Sequence, residues 1–188
     1  MTSDEGTVEH FRRVFERGPV IVYNVPKRAP DIAPKIMERL ADHENMIGVK
    51  ECAGPERIKH YTALGIRCWS GDDADSFQSR HECGATGVVS VAANLIPTHL
   101  VRSMSAVDGE ACRQMEPLLN WMSCAPNPIP IASAMAMTGA IEPVFRLPYV
   151  PLSREDRKAG LREINQFEAD LVVGKRRDVL NDSDFTLI

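Results

Sequence analysis

Two apolar periods alternate along the first half of the chain. Over residues 7–17, Val8, Phe11, Val14 and Phe15 recur at helical spacing, and Gly18-Pro19 ends the pattern. The run Val20-Ile21-Val22-Tyr23-Asn24-Val25 is β-branched and short, which predicts a buried strand. Residues 31–41 return to the helical period through Ile32, Ile36, Met37 and Leu40. A second strand is predicted at Met46-Ile47-Gly48-Val49-Lys50, and a short helix over residues 56–64 stops at Gly65. A third strand follows at Ile66-Arg67-Cys68-Trp69, a helix over residues 73–82, and a fourth strand at Gly87-Val88-Val89-Ser90-Val91. Strands alternating with helices across short loops predict parallel βα units with both sheet faces covered.

Beyond the fourth strand the pattern is helical, over residues 96–106, 109–122, 131–138 and 154–172. The stretch Ala125-Pro126-Asn127-Pro128-Ile129-Pro130 reads as a loop. Residues 181–188 show little periodicity and are expected to fray. The expected organisation is a βα region over residues 1–95, a helical region over 96–175 and a tail over 176–188.

Composition narrows the function classes. With 44% apolar and 26% charged residues among 188, the chain has the make-up of a soluble globular protein of one domain. Its net charge of -4 argues against nucleic acid as an obligatory partner, and Lys175-Arg176-Arg177 reads as a solvated basic run. No apolar stretch approaches the roughly 20 residues of a membrane span. Met1-Thr2-Ser3-Asp4-Glu5 lacks the features of a signal or transit peptide. Cys52, Cys68, Cys83, Cys112 and Cys124 are odd in number and widely spaced, so reduced thiols are expected rather than a disulfide framework or a zinc site. His10, His43, His60, His81 and His99 adjoin no nucleophile motif and read as structural or surface residues.

The candidate chemistry gathers at the C-terminal ends of the four strands, the end that carries function in βα architectures. Lys50 closes an apolar strand; desolvation disfavours its ammonium and favours a nucleophilic amine. The bland alternative is a lysine paired with Glu51 or snorkelling at a strand end. Tyr23 ends the preceding strand and can relay protons, or else is a buried tyrosine with a satisfied hydroxyl. Arg28 lies in the loop after Pro26 and can grip a carboxylate in a bidentate fork, or else is an ordinary surface arginine. Gly71 permits close backbone approach. Asp73 is expected to cap the following helix, and Asp72 with Asp73 has no suitably spaced partner for a metal.

Five segments in order carry a resemblance: Tyr23-Asn24-Val25-Pro26-Lys27-Arg28, Gly48-Val49-Lys50-Glu51, Ser70-Gly71-Asp72-Asp73, Gly87-Val88-Val89-Ser90-Val91-Ala92-Ala93-Asn94 and Asn127-Pro128-Ile129-Pro130. Together they resemble the dihydrodipicolinate synthases, from about Thr2 to Val173. Pro143-Val144-Phe145-Arg146-Leu147-Pro148-Tyr149-Val150-Pro151-Leu152 resembles the plant-type branch. The resemblance implies an α/β fold of the (β/α)₈ TIM-barrel family, here the last four βα units followed by C-terminal helices. It implies Lys50 as the imine-forming lysine, Tyr23 as the proton relay and Arg28 as the receptor for a semialdehyde carboxylate. It also implies that Gly71 and the Val89 carbonyl line a pyruvate pocket.

The implied reaction joins pyruvate to L-aspartate 4-semialdehyde in lysine (diaminopimelate) biosynthesis, through a covalent imine and with no cofactor or metal. The implied assembly is a homotetramer, in the cytoplasm or the plastid stroma, with no nucleic acid or membrane partner. Two departures stand out. Arg28-Ala29-Pro30 replaces the family's Arg-Thr-Gly, and Pro30 holds Ala29 extended. The chain also begins in the helix before the fifth barrel strand, so the threonine pair and the neighbour's tyrosine are expected to lie outside it. A non-catalytic half-barrel that pairs with intact subunits, and a sugar-acid aldolase of the same superfamily, are the alternatives.

Overall fold

The computed structural model describes residues 3–107 and 109–188; Met1, Thr2 and Asp108 lie outside the described residues. Two compact units divide the chain, Met1–Val89 and Ser90–Ile188.

The first unit begins with α1 (Asp4–Phe15), capped by the Ser3 hydroxyl, which accepts from the Gly6 N–H. β1 (Val20–Asn24), α2 (Pro34–Leu40), β2 (Met46–Glu51), α3 (Pro55–Ala63), β3 (Cys68–Ser70), α4 (Ser76–His81) and β4 (Gly87–Val88) follow. The strands form one sheet in the order β1-β2-β3-β4, every pair parallel. Parallel neighbours need a crossover, and α2, α3 and α4 each supply one.

The register sorts every side chain onto one of two faces. Val22 stands beside Val49, and Val49 beside Cys68, and all three are buried. They pack with Phe15, Ile36, Met37, Leu40, Ile58 and Tyr61 of the helices into one core. Each such aliphatic side chain contributes about 1.5–3 kcal/mol by leaving water. The opposite face carries Tyr23 beside Lys50, Lys50 beside Trp69, and Trp69 beside Gly87. On this face the predicted covering is absent: Ile21 is 46% exposed and Tyr23 48%. The helices of the first unit lie on one side only, as the layers of a barrel wall require.

Gly48 shapes β2. Its φ of 155° suits no residue with a Cβ, and a side chain there would collide with the Arg67 carbonyl and the Trp69 ring. With none, the Val49 N–H reaches the Arg67 carbonyl at 2.9 Å.

The second unit is mainly helical: a 3₁₀ turn at Ala92–Asn94, α5 (Pro97–Ser105), α6 (Glu110–Met122), α7 (Ile129–Met137), β5 (Val144–Phe145), α8 (Arg154–Ile164) and β6 (Thr186–Leu187). Its core holds Leu95, Ile96, Leu100, Met115, Leu118, Trp121, Ile131, Met137 and Ile164. Gly160 on α8 makes room for the Trp121 ring, whose Nε1–H donates to the Asp156 carbonyl at 2.8 Å.

Several elements differ from the sequence expectation, each for a local reason. The helix expected over residues 31–41 starts only at Pro34, because Asp31 is held by Asn24 and Arg57. Asp73 does not cap α4; Asp75 occupies that position, and the Asp72 carboxylate instead accepts from the Ala74 N–H. β4 ends at Val88, so Val89, Ser90 and Val91 lie beyond the strand. α7 starts earlier than expected, at Ile129, with Pro130 in its first turn, where a missing N–H costs nothing. The long helix over 154–172 stops at Ile164, followed by a 3₁₀ turn at Ala169–Leu171.

The tail does not fray. β6 pairs parallel with β5, and the Leu147 N–H donates to the Ile188 carbonyl at 2.9 Å. Arg157, fully buried, fastens it: its guanidinium pairs with Asp182 and lies 4.9 Å from the centroid of the Phe185 ring. Periodicity could not show this, because it rests on a charge and a ring from distant positions.

Candidate functional site

Lys50 reaches its position through strand parity. Successive strand residues point to opposite faces, so Val49 and Glu51 enter the core and Lys50 faces away from it. The Lys50 Nζ stands 4.1 Å from the centroid of the Tyr23 ring. A cation over an aromatic face at this distance gains about 0.5–2 kcal/mol. The same parity overturns the bland reading of a Lys50–Glu51 pair: Glu51 is 1% exposed and bonds on the far side of the sheet.

Gly71 follows β3 and abuts the lysine. A Cβ built on it would collide with the Cys52 Sγ and lie 2.8 Å from the Lys50 Cε. Its N–H donates to the Glu51 carbonyl at 2.8 Å, continuing the β2–β3 ladder past the last strand residue. The missing side chain is therefore the space that the lysine stem and the thiol occupy. Lys50, Tyr23 and Gly71 thus come together.

Arg28 lies in the turn after β1. Its N–H and that of Ala29 both donate to the Val25 carbonyl, at 2.9 and 3.1 Å. The side chain is exposed, and its guanidinium lies near enough to Tyr23 to favour the phenolate. Val89 lies one residue past β4; its N–H donates to the Ser70 carbonyl at 2.8 Å, and its side chain is 45% exposed.

The electrostatics follow from burial and neighbours. Burial pushes the Tyr23 phenol up, Cys52 pushes it further, and Arg28 opposes both. Burial also pushes the Cys52 thiol up, against the pull of Tyr23 and Lys50. Both groups therefore hold their protons at neutral pH, and a protonated phenol beside an amine can give and take a proton.

Sequence reasoning missed the polar layer directly behind the lysine. The Asn24 side-chain amide donates to Glu51 Oε1 and to Asp31 Oδ1, both at 2.8 Å. The Asn24 Oδ1 accepts from the Ile32 N–H at 3.0 Å, and Glu51 Oε1 accepts from the Ala53 N–H at 2.7 Å. Arg57 closes the layer on Asp31 through both of its terminal nitrogens. This layer ties the C-terminal ends of β1 and β2 together, which fixes where Tyr23 and Lys50 begin. Glu51 Oε2 is buried without a partner, and burial pushes the Glu51 carboxyl up against the pull of Ala53 and Asn24. The available signal was parity: Asn24 and Glu51 are polar residues at positions that alternate with exposed ones.

Trp69 was also passed over. Its ring lies against Gly48 under the Arg67 guanidinium, 5.0 Å from centroid to Cζ, and forms the wall of the lysine face on β3. Among the described residues, no three His, Cys, Asp or Glu side chains are grouped to hold a metal ion. No described helix is long and apolar enough to cross a membrane.

Comparison with known proteins bears on the chain as a whole rather than on single side chains. Residues 1–167 match the model of the "Dihydrodipicolinate synthetase family". The chain is 45% identical over 190 aligned positions to the chloroplastic 4-hydroxy-tetrahydrodipicolinate synthase 1 of Triticum aestivum, covering 100% of this chain and 49% of that protein. It is 37% identical to the 4-hydroxy-tetrahydrodipicolinate synthase of Methanothrix thermoacetophila, over 90% of this chain and 62% of the other. The chain spans about half the length of the plant relatives it matches. Among solved structures, the dihydrodipicolinate synthase of Thermotoga maritima aligns with a TM-score of 0.78 at 29% identity, over 88% of this chain and 63% of that one. The chloride-inhibited enzyme of Acinetobacter baumannii, complexed with pyruvate, aligns with a TM-score of 0.79 at 29% identity, over 88% and 62%.

Proposed function

The chain belongs to the dihydrodipicolinate synthetase family, and on that premise we propose that it carries the imine-forming half of a pyruvate-dependent lyase of lysine biosynthesis. The observation that carries this reading is the Lys50 amine 4.1 Å from the centroid of the Tyr23 ring, on the sheet face opposite the helices of the first unit. The relative complexed with pyruvate supports pyruvate as the first substrate.

The chemistry then runs as follows. The Lys50 amine attacks the pyruvate ketone, and the Tyr23 phenol passes protons as the carbinolamine forms and loses water. The resulting imine is an electron sink, so a methyl proton leaves and an enamine forms. The enamine carbon attacks the aldehyde of L-aspartate 4-semialdehyde, whose carboxylate Arg28 receives in a bidentate fork. Gly71 and the Val89 carbonyl line the pyruvate end. No cofactor takes part, since the covalent imine does the work of one.

In this reading residues 1–95 supply half of the barrel wall, 96–175 its helical region and 176–188 a tail. The assembly is a homotetramer, although a monomeric variant is known among the structural relatives. The plant relatives are chloroplastic, which supports a plastid location over the cytoplasm.

One observation favours a second reading. β1 and β4 have no further strand beside them among the described residues, and Ile21 and Val89 are 46% and 45% exposed. Such an edge favours association with further barrel strands, and a half-barrel serving only that purpose would have no use for its amine.

Borohydride reduction in the presence of pyruvate, read by intact mass and peptide mapping, separates the two. A pyruvate-derived adduct on Lys50 upholds the lyase; a folded chain that takes up no adduct leaves the non-catalytic half-barrel.

A further inference from the structure

Arg28 sits in a connection that its own backbone holds at one end only. Between β1 and α2, residues 25–33 include Pro26 and Pro30, which have no N–H to donate. The Arg28 and Ala29 N–H groups close the first turn on the Val25 carbonyl. Beyond Pro30 the connection is held by side chains. The Asn24 Oδ1 accepts from the Ile32 N–H at 3.0 Å, and the Asn24 amide donates to Asp31 Oδ1 at 2.8 Å. Arg57, on α3, donates to Asp31 Oδ1 at 3.3 Å, to Asp31 Oδ2 at 3.0 Å and to the Ile32 carbonyl at 3.3 Å. Its side chain is 22% exposed, so this guanidinium is fastened to its target rather than loose in solvent. Burial works against the Asp31 carboxylate, yet Arg57 and Asn24 hold its carboxyl below the ordinary range.

We propose that Arg57 is a positioning residue for Arg28: clamped onto Asp31 and Ile32, it fixes the far end of the β1–α2 connection and thereby where the Arg28 guanidinium is presented. The role of Arg28 towards a substrate carboxylate rests on the lyase reading; the clamp rests on the contacts above. Ala29 and Pro30 alone separate Arg28 from the clamped Asp31. Pro30 has a fixed φ, and Ala29, standing before a proline, is confined to extended backbone. A stiff link passes the position of Asp31 on to Arg28, whereas a glycine at position 30 would absorb it.

An arginine on an exposed turn gives up freedom when it grips a carboxylate, and backbone ordered beforehand removes part of that cost from binding. The benefit falls on the carboxylate substrate and not on the imine step. The bond that joins the ends of β1 and β2 runs from Asn24 to Glu51 and does not involve Arg57.

The test is hydrogen exchange on the full chain, followed amide by amide. Arg57→Met keeps an unbranched stem and removes the guanidinium. Exchange at Arg28, Ala29 and Ile32 then rises about tenfold or more, the ordinary worth of a charge-assisted bond. The Val49 and Gly71 amides, which bond to Arg67 and Glu51, keep their rates. Asp31→Asn keeps the shape of the clamp without its charge and moves Arg28 and Ala29 the same way by a smaller factor. Pro30→Gly frees Arg28 and Ala29 while Ile32 stays protected. Unmoved exchange at Arg28 and Ala29 in Arg57→Met overturns the proposal. So does a rise that reaches Val49 and Gly71 equally, which would make Arg57 a general support of the fold. A Pro30→Gly chain with Arg28 as protected as before overturns the stiff link, and the proposal with it.

Kinetics on the full barrel assembly give the second reading. Arg57→Met raises KM for L-aspartate 4-semialdehyde about tenfold and leaves borohydride trapping of pyruvate on Lys50 at the unmodified rate. A loosened loop with an unmoved semialdehyde KM overturns the positioning role. If the unmodified chain traps no pyruvate, the lyase reading fails by that measurement, while exchange at Arg28 still decides whether Arg57 holds the loop.

Discussion

Lys50 and Tyr23 are register partners on adjacent parallel strands, and the lysine Nζ stands 4.1 Å from the centroid of the tyrosine ring. The pairing follows from the backbone ladder and so exists before any substrate arrives. Lys50→Ala is expected to abolish borohydride-trapped pyruvate adduct on the chain. Tyr23→Phe keeps the ring and loses the hydroxyl, so it should slow trapping about a hundredfold or more, the ordinary worth of a positioned acid or base. A Tyr23→Phe chain that traps at the unmodified rate would remove the phenol from the mechanism.

Arg28 should separate the two substrates. Losing a charge-assisted bond to a carboxylate costs about 1.5–3 kcal/mol. Arg28→Ala is therefore expected to weaken use of the semialdehyde by about 10–100-fold in kcat/KM while leaving pyruvate trapping intact. The full barrel assembly is the sample for this measurement. Equal loss in both steps would place Arg28 in the imine chemistry instead.

Gly71→Ala adds one methyl group in the space filled by the Cys52 Sγ and the Lys50 Cε. Overpacking of this kind costs about 1–3 kcal/mol. The expected result is a lower midpoint in chemical denaturation together with loss of trapping. Gly18→Ala is the contrast: a Cβ there would meet nothing within 4 Å, though its φ of 131° still imposes backbone strain. It should destabilise the chain and leave the amine site in place.

Glu51 predicts a pH dependence of stability. Burial raises its folded pKa above the unfolded value, so between the two the folded chain binds more protons. Its contribution to stability is therefore largest at acidic pH and declines as pH rises from the ordinary carboxylate range through the raised folded value. Glu51→Gln should flatten that slope in urea denaturation followed across pH. Glu51→Leu leaves the Ala53 N–H without its acceptor, with a cost of about 1–3 kcal/mol at every pH. An unchanged slope in the Gln variant would mean that other groups set it.

Much of this molecule was legible in the chain, and what was missed has common causes. The four βα units were visible because apolar periods of 2 and 3.6 differ sharply, and Lys50 and Tyr23 stood out as polar residues near the ends of apolar strands, each one residue short of the observed end. Element ends were less visible. Asp31 forgoes the start of α2 for Asn24 and Arg57, and Asp73 gives up the cap of α4, both through contacts that local sequence does not record. The tail was misread for the same reason: Arg157 and Phe185 are 28 positions apart, and neither alone suggests a strand. Asn24, Glu51, Cys52 and Trp69 were readable in principle from strand parity, once the register was known.

The strict alternation at Lys50-Glu51-Cys52 bears on how this chain tolerates insertion. A single residue added within β2 would exchange the two faces. The amine would turn into the helix-covered core, and the carboxylate with the orphaned oxygen would turn towards substrate. The same residue added after His43, in the connection that precedes β2, leaves the strand's phase untouched. An insertion scan across residues 41–50 should therefore show a sharp boundary at Met46, with permissive positions before it and none from there to Lys50.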